Sequence, residues 1–358
     1  MTTSVYLSGP NINFVDPTSQ ISADWKAFAA TTFFKSGITV ANPIDLDFSG
    51  IATKIVDPTV SIKHSLNLID RADSLLANLV QITEPATMEV FYANRQGKQV
   101  VVIGNEPFNP WVLKHSEIQF SNLTDAVEYL VNQPSVLDAV TWSTQFEGEI
   151  KKKSEQYPPP GENDFEYYGG DMPILVIAPH ATHYFHDGNL HESESYTGTL
   201  AALLHKLTGC HAIISKHCIV ADPVYYLSSP FAHFLSSLIS KSRFKLVIAL
   251  HGIEEWNSAN DLIITSWNKS SLIDKAEYLN LLINLLKIKE FKDIGFDTID
   301  LMQSEAKTIN HLLFEDLNVP MIRLEIHRRY RLPQLQPSLY KSLYTSLGQF
   351  LMIIGSGK

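Results

Sequence analysis

The stretch Ile174–Gly198, ILVIAPHATHYFHDGNLHESESYTG, decides how this chain is read. It opens with an apolar run as long as a buried strand, and the run delivers His180 into a polar loop. That loop carries His183, His186, His191, Glu192 and Glu194, residue types that ligate metals. A second apolar run, FKLVIALHG at Phe244–Gly252, ends the same way on His251, and a third, VPMIRLEI at Val319–Ile326, brings up Glu325. Between the runs, helical spacing over Thr197–Leu207 and Lys275–Leu286 alternates with further short apolar runs, CHAIIS and DLIITS. Alternating strands and helices predict an α/β fold: a mostly parallel sheet flanked by helices, with sites at the carboxyl ends of the strands.

Two imidazoles at two strand ends and a carboxylate between them suit a hydrolytic zinc site, which uses three protein ligands and keeps one position open for water. His180, His251 and an acidic residue of the loop fill that set. Glu325 is placed to take the water's proton if its strand runs parallel to the others. Arg323 shares a strand face with Glu325, and Arg323, Arg328 or Arg329 offers a bidentate partner for a substrate carboxylate. The competing account is that Glu325 and its arginines form an ordinary ion-pair cluster. His183, His186 and His191 are expected outside the ligand set. Cys210 and Cys218, beside His211 and His217, are too widely spaced for a zinc knuckle and read as reduced thiols.

At 358 residues the chain exceeds one ordinary core, so two domains are expected, residues 1–140 and 172–358. Between them lies Lys151–Gly170, KKKSEQYPPPGENDFEYYGG, whose charge run, prolines and paired glycines read as a linker, taken as 141–171. A net charge of -10 argues against nucleic acid and anionic membrane surfaces as partners, and points to small molecules. No signal-like segment or bilayer-length apolar stretch is seen, so a cytoplasmic protein is expected.

The first half repeats the alternation. Ser4–Leu7 is a strand ending in the turn Ser8-Gly9-Pro10, and Gly37–Asp45 is a second strand stopped by Pro43. Ile62, Leu66 and Ile69 recur at helical spacing, SLLANLV follows Asp73 as a strand, and QVVVIG is another. TEPAT (Thr83–Thr87) reads as a loop leading into a short helix, Met88–Arg95, with Thr87 as its cap. Glu89 then sits in a first turn, where the helix dipole favours an ionised carboxylate. Such a carboxylate can attack a sugar, although acidic residues also occupy first turns simply because they stabilise helices.

Three segments, VYLSGP (Val5–Pro10), LIDRADSLLANL (Leu68–Leu79) and TMEVFYANRQGKQVVVIG (Thr87–Gly104), resemble the nucleoside 2-deoxyribosyltransferase family and its nucleotide N-glycosidase relatives. The resemblance implies a Rossmann-like or flavodoxin-like fold. It implies Glu89 as the nucleophile, with Tyr6 and Asp73 as further catalytic residues and Ser8 and Gly9 in the substrate site. Ser65 departs from it, standing where family members commonly carry an acidic residue. That family often builds its sites at a dimer interface, so a homo-oligomer is allowed for.

The second half is similar to the N-formylglutamate amidohydrolase family, of zinc carboxypeptidase architecture, on PHATHYFHDGNLHESESYTG, DPVYY (Asp222–Tyr226), ALHG and RLEIHRR. This resemblance implies Glu194, rather than Glu192, as the acidic zinc ligand with His180 and His251, and Glu325 as general base. It also implies Asp222 near the substrate, with Val224 departing from the asparagine the motif often has. Three functions are compatible with these readings. The first is a hydrolase cutting an amide bond in an N-acyl compound at the zinc site and an N-glycosidic bond of a nucleoside or nucleotide at Glu89. The second is a zinc amidohydrolase with a nucleotide-binding regulatory domain, and the third a non-catalytic sensor.

Overall fold

The computed structural model describes residues 4–10, 13–15, 22–42, 58–105, 109–132, 136–255, 258–267, 276–299, 309 and 319–356. The chain forms two compact units, Met1–Ser135 and Val136–Lys358.

In the first unit, β1 (Ser4–Ser8), β4 (Thr39–Ala41), β5 (Ser74–Asn78), β6 (Gln99–Ile103) and β7 (Ile118–Phe120) make one sheet in the order β4-β1-β5-β6-β7. All four pairings are parallel. A separate ribbon pairs β2 (Asn13–Val15) with β3 (Ser22–Asp24). The order of the sheet is the flavodoxin-like one, in which the switch point lies between the first strand and its partner on the other side, here β1 and β5. Strands β5 and β6 are apolar nearly throughout because helices cover both faces, which is what a parallel sheet requires. Pro43 and Asp45, expected at the end of the second strand, lie outside the described residues.

The loop expected at Thr83–Thr87 is mostly helix. The helix runs Glu84–Arg95, with Thr83 as its cap and Pro85 in the first turn, where proline's missing N–H costs nothing. Glu89 is therefore the sixth helical residue and not a first-turn residue, so the dipole argument for its ionisation falls away.

The second unit contains a seven-stranded sheet in the order β15-β14-β16-β13-β9-β12-β8. Its strands are β8 (Phe165–Tyr168), β9 (Met172–Ala178), β12 (Cys210–Ser215), β13 (Leu246–Ile253), β14 (Leu262–Trp267), β15 (Ile294–Ile299) and β16 (Met321–His327). β12, β9, β13 and β16 are mutually parallel, while β8 and the pair β14–β15 run against them, so the sheet is mixed. A two-stranded hairpin, β10 (Tyr184–His186) and β11 (Asn189–His191), rises from the loop after β9.

The stretch expected to be a linker belongs to this unit. Residues 141–154 lie in a helix, Val136–Ser154, and Phe165–Tyr168 is the edge strand β8. Lys151, Lys152 and Lys153 form that helix's last turn, where cations interact favourably with the dipole, so the charge run expected in a linker is a helix end. Among the described residues, no helix is long and apolar enough to cross a membrane.

Candidate functional site

The carboxyl ends of β9, β13 and β16, three adjacent parallel strands, assemble the principal site. His180 follows β9 by two residues, and His251 lies within β13, directly opposite Glu325 of β16. In-register residues of neighbouring strands share a face, so His251 and Glu325 stand side by side. Glu194 comes in from the loop after the hairpin. Its N–H donates to the His180 carbonyl at 2.8 Å, which sets the loop against the end of β9.

His180 Nδ1 lies 3.1 Å from Glu194 Oε1, and His251 Nδ1 lies 3.3 Å from the same oxygen. Gly252 N–H donates to Glu194 Oε2 at 3.1 Å. One donor atom from each of His180, Glu194 and His251 lies within 4.8 Å of the others. Donors about 2 Å from a tetrahedral ion are roughly 3.3 Å apart, so this set fits zinc in both chemistry and spacing.

Burial and charge act against each other on all three groups. Burial alone would lower the His180 imidazole, but Glu194 and Asp222 outweigh it and push it up to about 9. Burial works against the Glu194 carboxylate too, yet His251 and His180 hold it far below the usual carboxylate range. Burial lowers His251 to about 4 against the pull of Glu194.

Asp222, expected near substrate, lies behind His180 instead. It is 1% exposed, and its Oδ1 sits 2.9 Å from His180 Nε2 while accepting Val224 N–H at 2.9 Å. This is the carboxylate–histidine arrangement that fixes the tautomer and plane of a metal-ligating imidazole. The face of that imidazole is covered by Tyr184, stacked at 3.9 Å between centroids and 5° between planes. Alternation in the hairpin gave no hint of that stack, because only the folded loop brings Tyr184 back over His180. His186 reaches the far side of Asp222, 3.4 Å from Oδ2, and His183 is held by Ser154 at 2.7 Å. His191 stacks on Tyr184, so none of the three belongs to the ligand set.

Arg323 pairs with Glu325 at 3.2 Å on the strand face they share. Arg328, expected at the substrate, is directed to Glu254, with Nη1 donating to its carbonyl at 3.4 Å. Arg329 pairs with the buried Asp261. The Glu194 loop has a partner that the sequence did not suggest. Buried Glu147, in the helix Val136–Ser154, accepts Tyr196 N–H at 3.0 Å and the Thr199 hydroxyl at 2.7 Å. It thereby holds the start of the helix Thr197–Thr208, where Tyr196 adopts a left-handed φ of 65°.

A second constellation occupies the first unit at the β1–β5 switch point. Tyr6 and Ser8 share one face of β1, and their hydroxyls donate to the two oxygens of Glu89, at 2.7 and 2.6 Å. Burial first, then the Glu89 charge, holds the Tyr6 hydroxyl well above its ordinary pKa, so it remains a donor. Ser65 also hydrogen-bonds Tyr6. Gly9 has φ 123°, and a Cβ there would lie 2.5 Å from the Asn78 carbonyl, so only glycine lets the turn pass over the end of β5. Asp73 is placed otherwise than expected. It lies at the amino end of β5 and accepts the Ser4 N–H and hydroxyl, both at 3.0 Å, which ties two strand starts together at the opposite end of the sheet from Glu89.

No family model and no curated protein matches the chain. Among solved structures, a 2-deoxyribosyltransferase from Bacillus psychrosaccharolyticus is similar at 18% identity and a TM-score of 0.27, over 35% of this chain and 91% of that one. The succinylglutamate desuccinylase from Chromobacterium violaceum is similar at 11% identity and 0.37, over 59% and 76%. An N-acetylmuramoyl-L-alanine amidase of Nostoc punctiforme is similar at 15% and 0.30, over 51% and 97%. At these scores the likenesses carry no argument about chemistry, which rests on the side chains described above.

Proposed function

We propose that the second unit is a zinc-dependent amidohydrolase acting on an N-acyl or amide metabolite. The observation that carries this reading is the convergence of His180, Glu194 and His251, with Asp222 behind His180 and Glu325 in register beside His251. Zinc, when bound, supplies a Lewis acid that makes water acidic near neutral pH. The chain's own residues do the rest. Glu325 takes the proton of the attacking water and returns it to the departing amine nitrogen, while Arg323 steadies the Glu325 carboxylate or a substrate carboxylate beside it. The test is metal analysis of the purified chain followed by hydrolysis assays on N-acyl amino acids. One zinc equivalent lost in both His180→Ala and His251→Ala supports the reading, and full retention in both variants sinks it.

For the first unit we propose N-glycosidic bond cleavage of a nucleoside or nucleotide, a reading favoured by the paired hydroxyl donors on Glu89. The carboxylate attacks the anomeric carbon, the base leaves with its bonding electrons, and water releases the sugar from the ester. Base release that is absent in the wild type, or that survives Glu89→Gln, removes this activity.

A further inference from the structure

We infer that Arg331 is the positioning residue that keeps the ligand loop, the ligand strand and the base strand of the second unit in register, an inference that rests on the metal-site reading above. Its side chain is wholly buried. Nε donates to the Ile326 carbonyl at 2.9 Å, Nη1 to the Ser195 carbonyl, and Nη2 to the Ile253 carbonyl at 3.5 Å. Each acceptor lies one or two residues from a group of the site. Ser195 follows Glu194, Ile253 lies two residues after His251, and Ile326 follows Glu325.

A backbone pinned that close leaves its neighbouring side chain little freedom, so one guanidinium sets the mutual placement of two ligands and the base. Among the described residues, its hydrogen bonds go to these carbonyls and to Glu254 and not to the side chains of Glu194, His251 or Glu325. Glu254 supplies the counter-charge that a buried cation requires, pairing with Nη2. Gly252 is explained by the same contact: a Cβ there would lie 2.5 Å from Nη2 and 2.7 Å from Cζ. Lysine carries the same charge but presents one nitrogen, and cannot serve three carbonyls on three separate segments as a planar fork does.

The experiment uses the full chain and reads zinc affinity by chelator competition and the visible spectrum of the cobalt-substituted protein. Variants are Arg331→Lys, Arg331→Ala with and without added guanidinium at millimolar concentration, and Glu254→Gln. Glu254 is partly exposed and ligates nothing, so its variant is informative even if Arg331→Lys does not fold. Arg331→Lys is expected to weaken zinc by about 10–100-fold, the range for outer-shell groups, with altered cobalt bands and unchanged circular dichroism. Guanidinium, but not methylammonium, should restore part of the affinity of Arg331→Ala, and Glu254→Gln should shift affinity and spectrum in the same direction by a smaller factor. Unchanged affinity and cobalt bands in Glu254→Gln, with Arg331→Lys either unchanged or simply unfolded, overturn the role of Arg331 while leaving the metal site standing. A folded wild type that takes up no metal overturns both.

Discussion

At the scale of single residues, the proposed function assigns some groups of the site to hold a metal and another to do chemistry. Asp222→Asn keeps the size of the side chain but replaces an acceptor pair by an amide, so the His180 plane loses its charged anchor. Zinc affinity should fall about 10–100-fold at unchanged stoichiometry, measured by chelator competition, and an unchanged affinity would return Asp222 to the substrate side. Glu325→Gln should retain the full zinc equivalent and lose turnover by about 10²–10⁴-fold, the range that general base catalysis contributes. Wild-type turnover in that variant would mean that another group takes the proton. These roles were only half legible in the chain. His180, His251 and Glu325 announce themselves by ending apolar runs, whereas Asp222 carries no such pattern and its contact with His180 spans 42 residues of sequence.

At the scale of elements, the turn that carries one site is held by a buried carboxylate and the turn that carries the other by a glycine. Glu147→Ala would strand the Tyr196 N–H and the Thr199 hydroxyl without an acceptor. The expected cost is about 2–4 kcal/mol in urea unfolding of the second unit, at ~1–3 kcal/mol for each unsatisfied group and with partial relaxation. Burial raises Glu147 above its ordinary 4.5 against the hydrogen bonds it accepts. Folding therefore favours its protonated form, and that contribution is complete below 4.5 and is lost as pH rises through the folded value. The stability of wild type minus that of Glu147→Gln should accordingly decline as pH rises from 4.5, and a flat difference would show that the carboxylate titrates normally. In the first unit, Gly9→Ala places a methyl against the Asn78 carbonyl at φ 123°, and the expected destabilisation is about 1–3 kcal/mol in the same measurement. The helix begins at Glu84, ahead of the expected Met88, because proline in a first turn and threonine as a cap are what begin a helix.

At the scale of the molecule, each site is built within one unit, so lesions in one should leave the chemistry of the other intact. Glu89→Gln is expected to keep the zinc equivalent and any amidase activity, while chelation is expected to spare base release; loss of both activities from either treatment would reject this independence. The sequence by itself determined the α/β alternation, the strands β9, β13 and β16, and the residues at their ends. Apolar periodicity is a local property, and a buried strand must show it wherever it pairs. It did not determine that β14 and β15 run against β16, nor that 141–154 is a helix of the second unit whose Glu147 holds the ligand loop. Strand direction and long-range hydrogen bonds are decided by which chain segments meet, and nothing in the local pattern encodes the partner. The opening stretch shows the same division: Ile174–Gly198 declared a strand and a set of metal-binding side chains. The family resemblance already singled out His180 and Glu194 from that set; only the tertiary structure brought Asp222 and Tyr184 onto His180 and His251 alongside Glu194.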